Sequence, residues 1–169
     1  MPTPRALSDA ESAAIPLPAV TAWQGLFDHG RLGAGKRVLI RGASGAVGGF
    51  AVQLARARGA QVIGTEDAME PVDLVFDTVG GEGLRRSIEV LRAGGRLVSV
   101  AEEPPDGGEY FVVEPNREQL ISIARLVDAG ELRPPSVDVF PLASAREAFA
   151  RSLERGRRGK VVLDVASET

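Results

Sequence analysis

From about Ala13 onward, short apolar clusters alternate with longer amphipathic stretches, and glycines stand at the joints. Pro16 and Pro18 lead into an amphipathic helix from about Ala19 to His29, which Gly30, Gly33 and Gly35 bring to an end. The apolar run Arg37 to Arg41 predicts a strand, which enters the turn Gly42-Ala43-Ser44-Gly45-Ala46-Val47-Gly48. A helix follows to Arg58, with Phe50, Val52, Leu54 and Ala55 near one face, and Gly59 ends it. Gln61 to Gly64 is the next strand. Strand, glycine turn, helix, glycine and strand make a βαβ unit.

A second unit begins at Val72. Asp73 to Asp77 has the composition of a buried strand, Thr78 to Gly83 of a loop and Leu84 to Leu91 of a helix. Ala93-Gly94-Gly95 is a turn before the strand Arg96 to Val100. After a loop at Pro104 to Gly108, an aromatic strand spans Tyr110 to Val113. A helix then covers about Arg117 to Ala129, with Leu120, Ile123, Ala124 and Val127 at helical spacing. Val137 to Phe140 is a short strand, Ser144 caps a helix to Glu154, and Lys160 to Val165 closes the sheet. Strands apolar almost throughout, alternating with helices, predict an α/β, Rossmann-like, doubly wound fold with a mostly parallel sheet flanked by helices. Residues 1–12 are expected to be a flexible arm and 13–169 one domain.

Composition narrows the chemistry. The chain has 169 residues, no cysteine, one histidine and a formal net charge of −3. That donor set argues against a zinc site, and the charge argues against nucleic acid. No apolar run approaches a membrane span, and the first residues lack the pattern of a secretion signal. Without cysteine, a reducing, cytoplasmic location is expected. Of the single-residue candidates, His29 lies near a helix end, and Tyr110 lacks a lysine four residues on; neither is assigned a catalytic role.

The Gly42–Gly48 turn carries the strongest signal. Glycine there permits a tight strand-to-helix turn and close approach of a pyrophosphate, toward which the following helix points its positive end. The spacing departs from G-x-G-x-x-G, so a turn needed only for packing is the competing explanation. A carboxylate at Gly64-Thr65-Glu66-Asp67 would suit the adenosine ribose hydroxyls and repel a 2′-phosphate; an acidic surface loop is the alternative.

With these residues laid out, the sequence resembles the medium-chain dehydrogenase/reductase superfamily, in its zinc-free quinone oxidoreductase and enoyl reductase branch. The resemblance rests on ordered blocks: Leu17 to Trp23, Arg37 to Gly48, Phe50 to Ala55, Val72 to Gly81, Leu91 to Ala101, Phe111 to Pro115 and Gly159 to Leu163. It implies an NADP- or NAD-binding domain with no metal. Under it, Gly42, Ala43, Ser44, Gly45, Ala46, Val47 and Gly48 form the pyrophosphate turn. Thr65 and Glu66 lie by the ribose. Asp77, Thr78, Val79, Val100, Ala101, Phe111, Val113 and Thr21 border the nicotinamide, and Lys160 helps to close the cleft. It also implies a homodimer through the Tyr110–Val113 edge.

Three departures follow from the same comparison. The family's GroES-like substrate domain is absent, so a separate partner would have to supply the substrate half. Only Glu66 to Pro71 remains where the family runs helix, strand, helix, which makes Gln61–Gly64 the sheet edge. The loop Glu102 to Glu109 is short. The expected function is hydride transfer to an α,β-unsaturated carbonyl or quinone. The alternatives are a non-redox protein on the same scaffold and an S-adenosylmethionine-dependent methyltransferase.

Overall fold

Val38, Leu39 and Ile40 are apolar in succession because their strand, β1 (Arg37–Arg41), is covered on both faces. The structure is a computed structural model that describes residues 7–63, 71–105, 107–154, 156 and 158–165. β1 lies inside a five-stranded sheet whose other strands are β2 (Gln61–Ile63), β3 (Val72–Asp77), β4 (Leu91–Ser99) and β5 (Glu109–Tyr110). The order is β2-β1-β3-β4-β5, and every pair is parallel. The expected Rossmann-like α/β fold is therefore present, with β2 at the edge. The turn expected at Ala93–Gly95 lies within β4, where the register against β3 shifts.

One face is covered by α2 (Pro16–Trp23), α3 (Ala46–Ala57) and α5 (Arg117–Asp128). α2 opens with Pro16, whose missing N–H would have had no helical partner at that position. It continues as a π-helical turn, Gln24–His29, in which the Gly30 amide donates to Gly25 O at 3.0 Å. A Cβ at Gly25 would overlap the Phe76 ring, so this helix rests directly on β3. The other face carries α4 (Glu82–Arg86) and a 3-10 turn, Ser87–Val90, less helix than the Leu84–Leu91 stretch predicted.

Further expectations are corrected. Lys160 to Val165 does not close the sheet: β7 (Lys160–Asp164) pairs in parallel with β6 (Val137–Pro141) as a separate two-stranded sheet, connected through α6 (Ala145–Ser152). The cause lies upstream. Gln53 of α3 grips the backbone of Arg133, accepting from its N–H at 2.8 Å and donating to its C=O at 3.3 Å. That grip carries the chain along α3 instead of back to the β5 edge. Likewise, of the predicted aromatic strand Tyr110–Val113 only Tyr110 pairs with β4, beside Glu109, and Phe111 adds one further bond to Ser99 O. Beyond it Gln24 takes both backbone groups of Glu114, at 2.8 and 3.0 Å, and draws the segment onto α2.

Within the stretch expected as an arm, a capping box at Ser8 starts α1 (Asp9–Ala13). The Ser8 amide and hydroxyl donate to Glu11 and hold its carboxyl below the usual carboxylate value. Ser144 makes no side-chain cap, because its backbone is not extended as a capping residue requires. Among the described residues no helix is long and apolar enough to cross a membrane.

Candidate functional site

β1 and β3 are neighbours, yet the chain leaves them over opposite faces: α3 leads from β1 to β2, and α4 from β3 to β4. At such a switch point the carboxyl ends of the strands bound a crevice, the place where open α/β sheets bind ligands. Here the crevice lies between the Gly42–Gly48 turn and the Thr78–Gly81 loop.

The glycines of the turn have separate duties. Gly42 has φ +79°, and a Cβ there would strike the Thr78 hydroxyl. A Cβ at Gly48 would strike the Gly42 carbonyl, so Gly48 lets α3 sit tight on β1. Gly45 is different: its φ is −78°, a Cβ would come only to 3.3 Å from the Gly42 carbonyl oxygen, and it stands exposed as the residue before α3 with no side chain capping the helix. The first-turn amides of α3 thus face the crevice without a side-chain acceptor, at the positive end of the helix. Beside them is a cleft of about 350 Å³, walled opposite the helix by Arg133 to Ser136 and by Arg158 and Gly159. Two guanidinium-bearing residues therefore border the same cleft as the helix end. Room for a backbone-bound group, a helix dipole and arginines together suit a pyrophosphate.

The loop across the crevice is held from below. Asp77 is fully buried; its Oδ2 accepts from the Gly80 amide at 2.8 Å and from the Ser99 hydroxyl at 3.0 Å. Its Oδ1 lies 3.5 Å from Arg41 Nη1. The Thr78 hydroxyl donates to Arg41 O at 2.8 Å. Asp77 and Thr78 consequently face the protein, and what this loop presents outward is Val79, 59% exposed.

The other predicted residues divide in the same way. Ala43, Ser44, Ala46 and Val47 lie in the turn, and Val100 and Ala101 follow the end of β4, with the Val100 amide donating to Asp77 O at 3.1 Å. Thr21 is buried in α2, its hydroxyl bonded to Leu17 O at 2.7 Å. Phe111 is buried and stacks on His29 with ring centroids 4.2 Å apart, while His29 Nδ1 meets Glu109 Oε1 at 2.7 Å. Val113 lines an apolar hollow with Leu17 and Val20. Lys160 begins β7, its amide bonded to Ser136 O at 2.9 Å beside the cleft wall. Thr65 and Glu66 lie outside the described residues. Sequence reasoning missed Gln24, Gln53 and Arg133; an amide in a helix carries no periodic signal that would mark it as a backbone clamp.

A family model described as zinc-binding dehydrogenase matches residues 51–163. The chain belongs to this family. It corresponds to the cofactor-binding domain of the medium-chain dehydrogenase/reductase superfamily. Family members similar to it include a probable zinc-binding oxidoreductase, mitochondrial, of Arthroderma benhamiae, 32% identical over 212 residues. That match takes in 96% of this chain and 64% of the relative. The quinone oxidoreductase of Coxiella burnetii superposes with TM-score 0.83 at 28% identity, over 98% of this chain and 63% of the other. The quinone oxidoreductase of Thermus thermophilus, solved also with NADPH, gives TM-score 0.80 at 31% identity, over 98% and 69%.

The chain thus spans just under two thirds of the length of the first of these relatives. Among the described residues no group of three or more His, Asp or Glu side chains could hold a metal ion.

Proposed function

We propose that the crevice binds a nicotinamide dinucleotide and that the domain serves an oxidoreductase acting on an α,β-unsaturated carbonyl or a quinone. The observation that carries this reading is the turn itself, where Gly42 and Gly48 exclude a Cβ while Gly45 and the α3 amides stand open. In this reading the first-turn amides and the helix dipole hold the pyrophosphate, and Arg133 and Arg158 add positive charge from across the cleft. Asp77 acts through the loop, fixing the Gly80 amide so that Val79 and Val100 form an apolar flank from which water is excluded. The bound nicotinamide supplies the hydride. The residues that orient the acceptor come from a polypeptide beyond this domain.

The family resemblance and the NADPH complex of the Thermus relative favour NADP. A carboxylate at Glu66 beside the ribose would favour NAD instead. The lack of cysteine supports a reducing, cytoplasmic setting.

Calorimetric titration with NADPH and with NADH tests the reading. One equivalent of one of them binds, and Gly45→Leu weakens that binding by about tenfold or more, roughly 1.4 kcal/mol. Because φ at Gly45 is −78° and a Cβ there would meet only the Gly42 carbonyl oxygen, at 3.3 Å, Gly45→Leu should still fold, which circular dichroism checks beside the titration. Unchanged binding in that variant would place the dinucleotide elsewhere. No binding of either nucleotide would favour a non-redox role for the scaffold.

A further inference from the structure

The loops that leave β3 and β4 are tied to each other twice. The inner tie is buried. Ser99, at the end of β4, is fully buried, and its hydroxyl donates to Asp77 Oδ2 at 3.0 Å. The same hydroxyl oxygen accepts from the Ala101 and Glu102 amides, at 3.1 and 3.4 Å. Its one proton and both lone pairs are therefore engaged. Because that Asp77 oxygen also takes the Gly80 amide, Ser99 joins both loops at their roots.

The outer tie is a single side chain. Glu102, beyond β4, reaches across and accepts from the Gly81 amide through Oε1 at 2.9 Å. A glycine makes room for it: a Cβ at Gly80 would come to 3.1–3.2 Å from the Glu102 side chain. Gly80 and Gly81 have φ of +77° and +72°, and two glycines in succession give this corner little stiffness of its own. Glu102 is exposed, and a bond made beside water adds little to the stability of the whole fold. Its effect is local. Val79, which the corner presents outward, lies in the stretch between the two ties.

We propose that Glu102 is a positioning residue of the crevice. By holding Gly81 it joins the loops after β3 and β4 into one wall and fixes Val79 relative to Val100. The task needs an acceptor and no charge, since an amide oxygen in the same place would take the same bond. This role rests on the reading of the crevice as a dinucleotide site, and it concerns the nicotinamide end alone. The pyrophosphate end belongs to the separate Gly42–Gly48 turn.

Hydrogen exchange and calorimetry on the full chain test this. In the free protein, Glu102→Ala speeds exchange of the Gly81 amide about tenfold and leaves the amides inside β3 unchanged. Glu102→Gln, which keeps an acceptor, exchanges at the parent's rate. Glu102→Ala also weakens the nicotinamide dinucleotide about fivefold, because the competent arrangement of the wall is less populated. ADP, which carries a pyrophosphate and no nicotinamide, binds the parent and both variants alike. Glu103→Ala, the exposed neighbour, changes none of these. Unchanged exchange at Gly81 in Glu102→Ala, or a Gln variant as loose as the Ala variant, would overturn the tie. Equal weakening of ADP and dinucleotide would overturn the restriction to one end. A parent that binds neither NADPH nor NADH overturns the dinucleotide reading and the positioning role with it. Failure of the tie alone is told apart by intact binding in the parent.

Discussion

On one face of the five-stranded sheet, α2, α3 and α5 bury Leu26, Phe50, Leu54 and Phe76 to 2% exposure or less. On the other, the short α4 and its following turn cover a much smaller group: Leu39, Val72, Val75, Leu84 and Leu97. Strand alternation explains how one set of residues serves both. Val38, Ile40, Leu74 and Phe76 point to the well-covered face, and Arg37, Leu39, Arg41, Asp73, Val75 and Asp77 to the thin one.

Across the thin face Leu39 stands beside Val75 in register, and Arg41 beside Asp77. At the opposite end Asp73 accepts from the Arg37 amide at 2.7 Å and pairs with Arg92 at 3.1 Å. An apolar middle is thus closed by charged groups at both ends. The thick face supplies most of the apolar burial, and the thin one trades some of it for the polar fastening that positions the crevice loop.

Substitutions can break or sharpen this contrast. Phe76→Ala removes a fully buried ring from the thick face, against which Gly25 also packs; chemical denaturation should record a loss of about 4 kcal/mol. Asp77→Ala removes the fully buried carboxylate that faces Arg41 and takes the acceptor from the Gly80 amide. It should cost about 3 kcal/mol and speed hydrogen exchange at Gly80. Leu84→Ala, at the centre of the thin face, should cost about 2 kcal/mol, because a short helix can settle into the space. If Leu84→Ala cost more than Phe76→Ala, the ranking of the two faces would be reversed.

Much of this architecture was legible in the chain. A strand covered on both faces needs an unbroken apolar run, and Val38 to Ile40 and Leu74 to Phe76 show one. The turn was legible because only glycine fits at Gly42 and Gly48. The edge position of β2 followed from the few residues left before β3. What escaped was the assignment of strands to sheets. Val137–Pro141 and Lys160–Asp164 resemble the strands of the main sheet, and nothing within a five-residue segment says which edge it will meet. That choice is made by Gln53 on Arg133 and Gln24 on Glu114, contacts between residues 80 and 90 positions apart. In the site, Asp77, Thr78 and Thr21 spend their polar atoms on the protein itself, which residue type alone does not reveal.

Every strand pair among the described residues is parallel. No two of these strands can therefore zip together from a tight turn, as the arms of a hairpin do. Each pairing must wait until the intervening chain has closed a loop and lost the entropy that closure costs. Helices such as α3 and α5 can form early and locally, whereas the register of Val38 against Leu74 is fixed late. In kinetic terms this is a slow-nucleating molecule, and until the sheet closes its apolar strands are open to neighbouring chains.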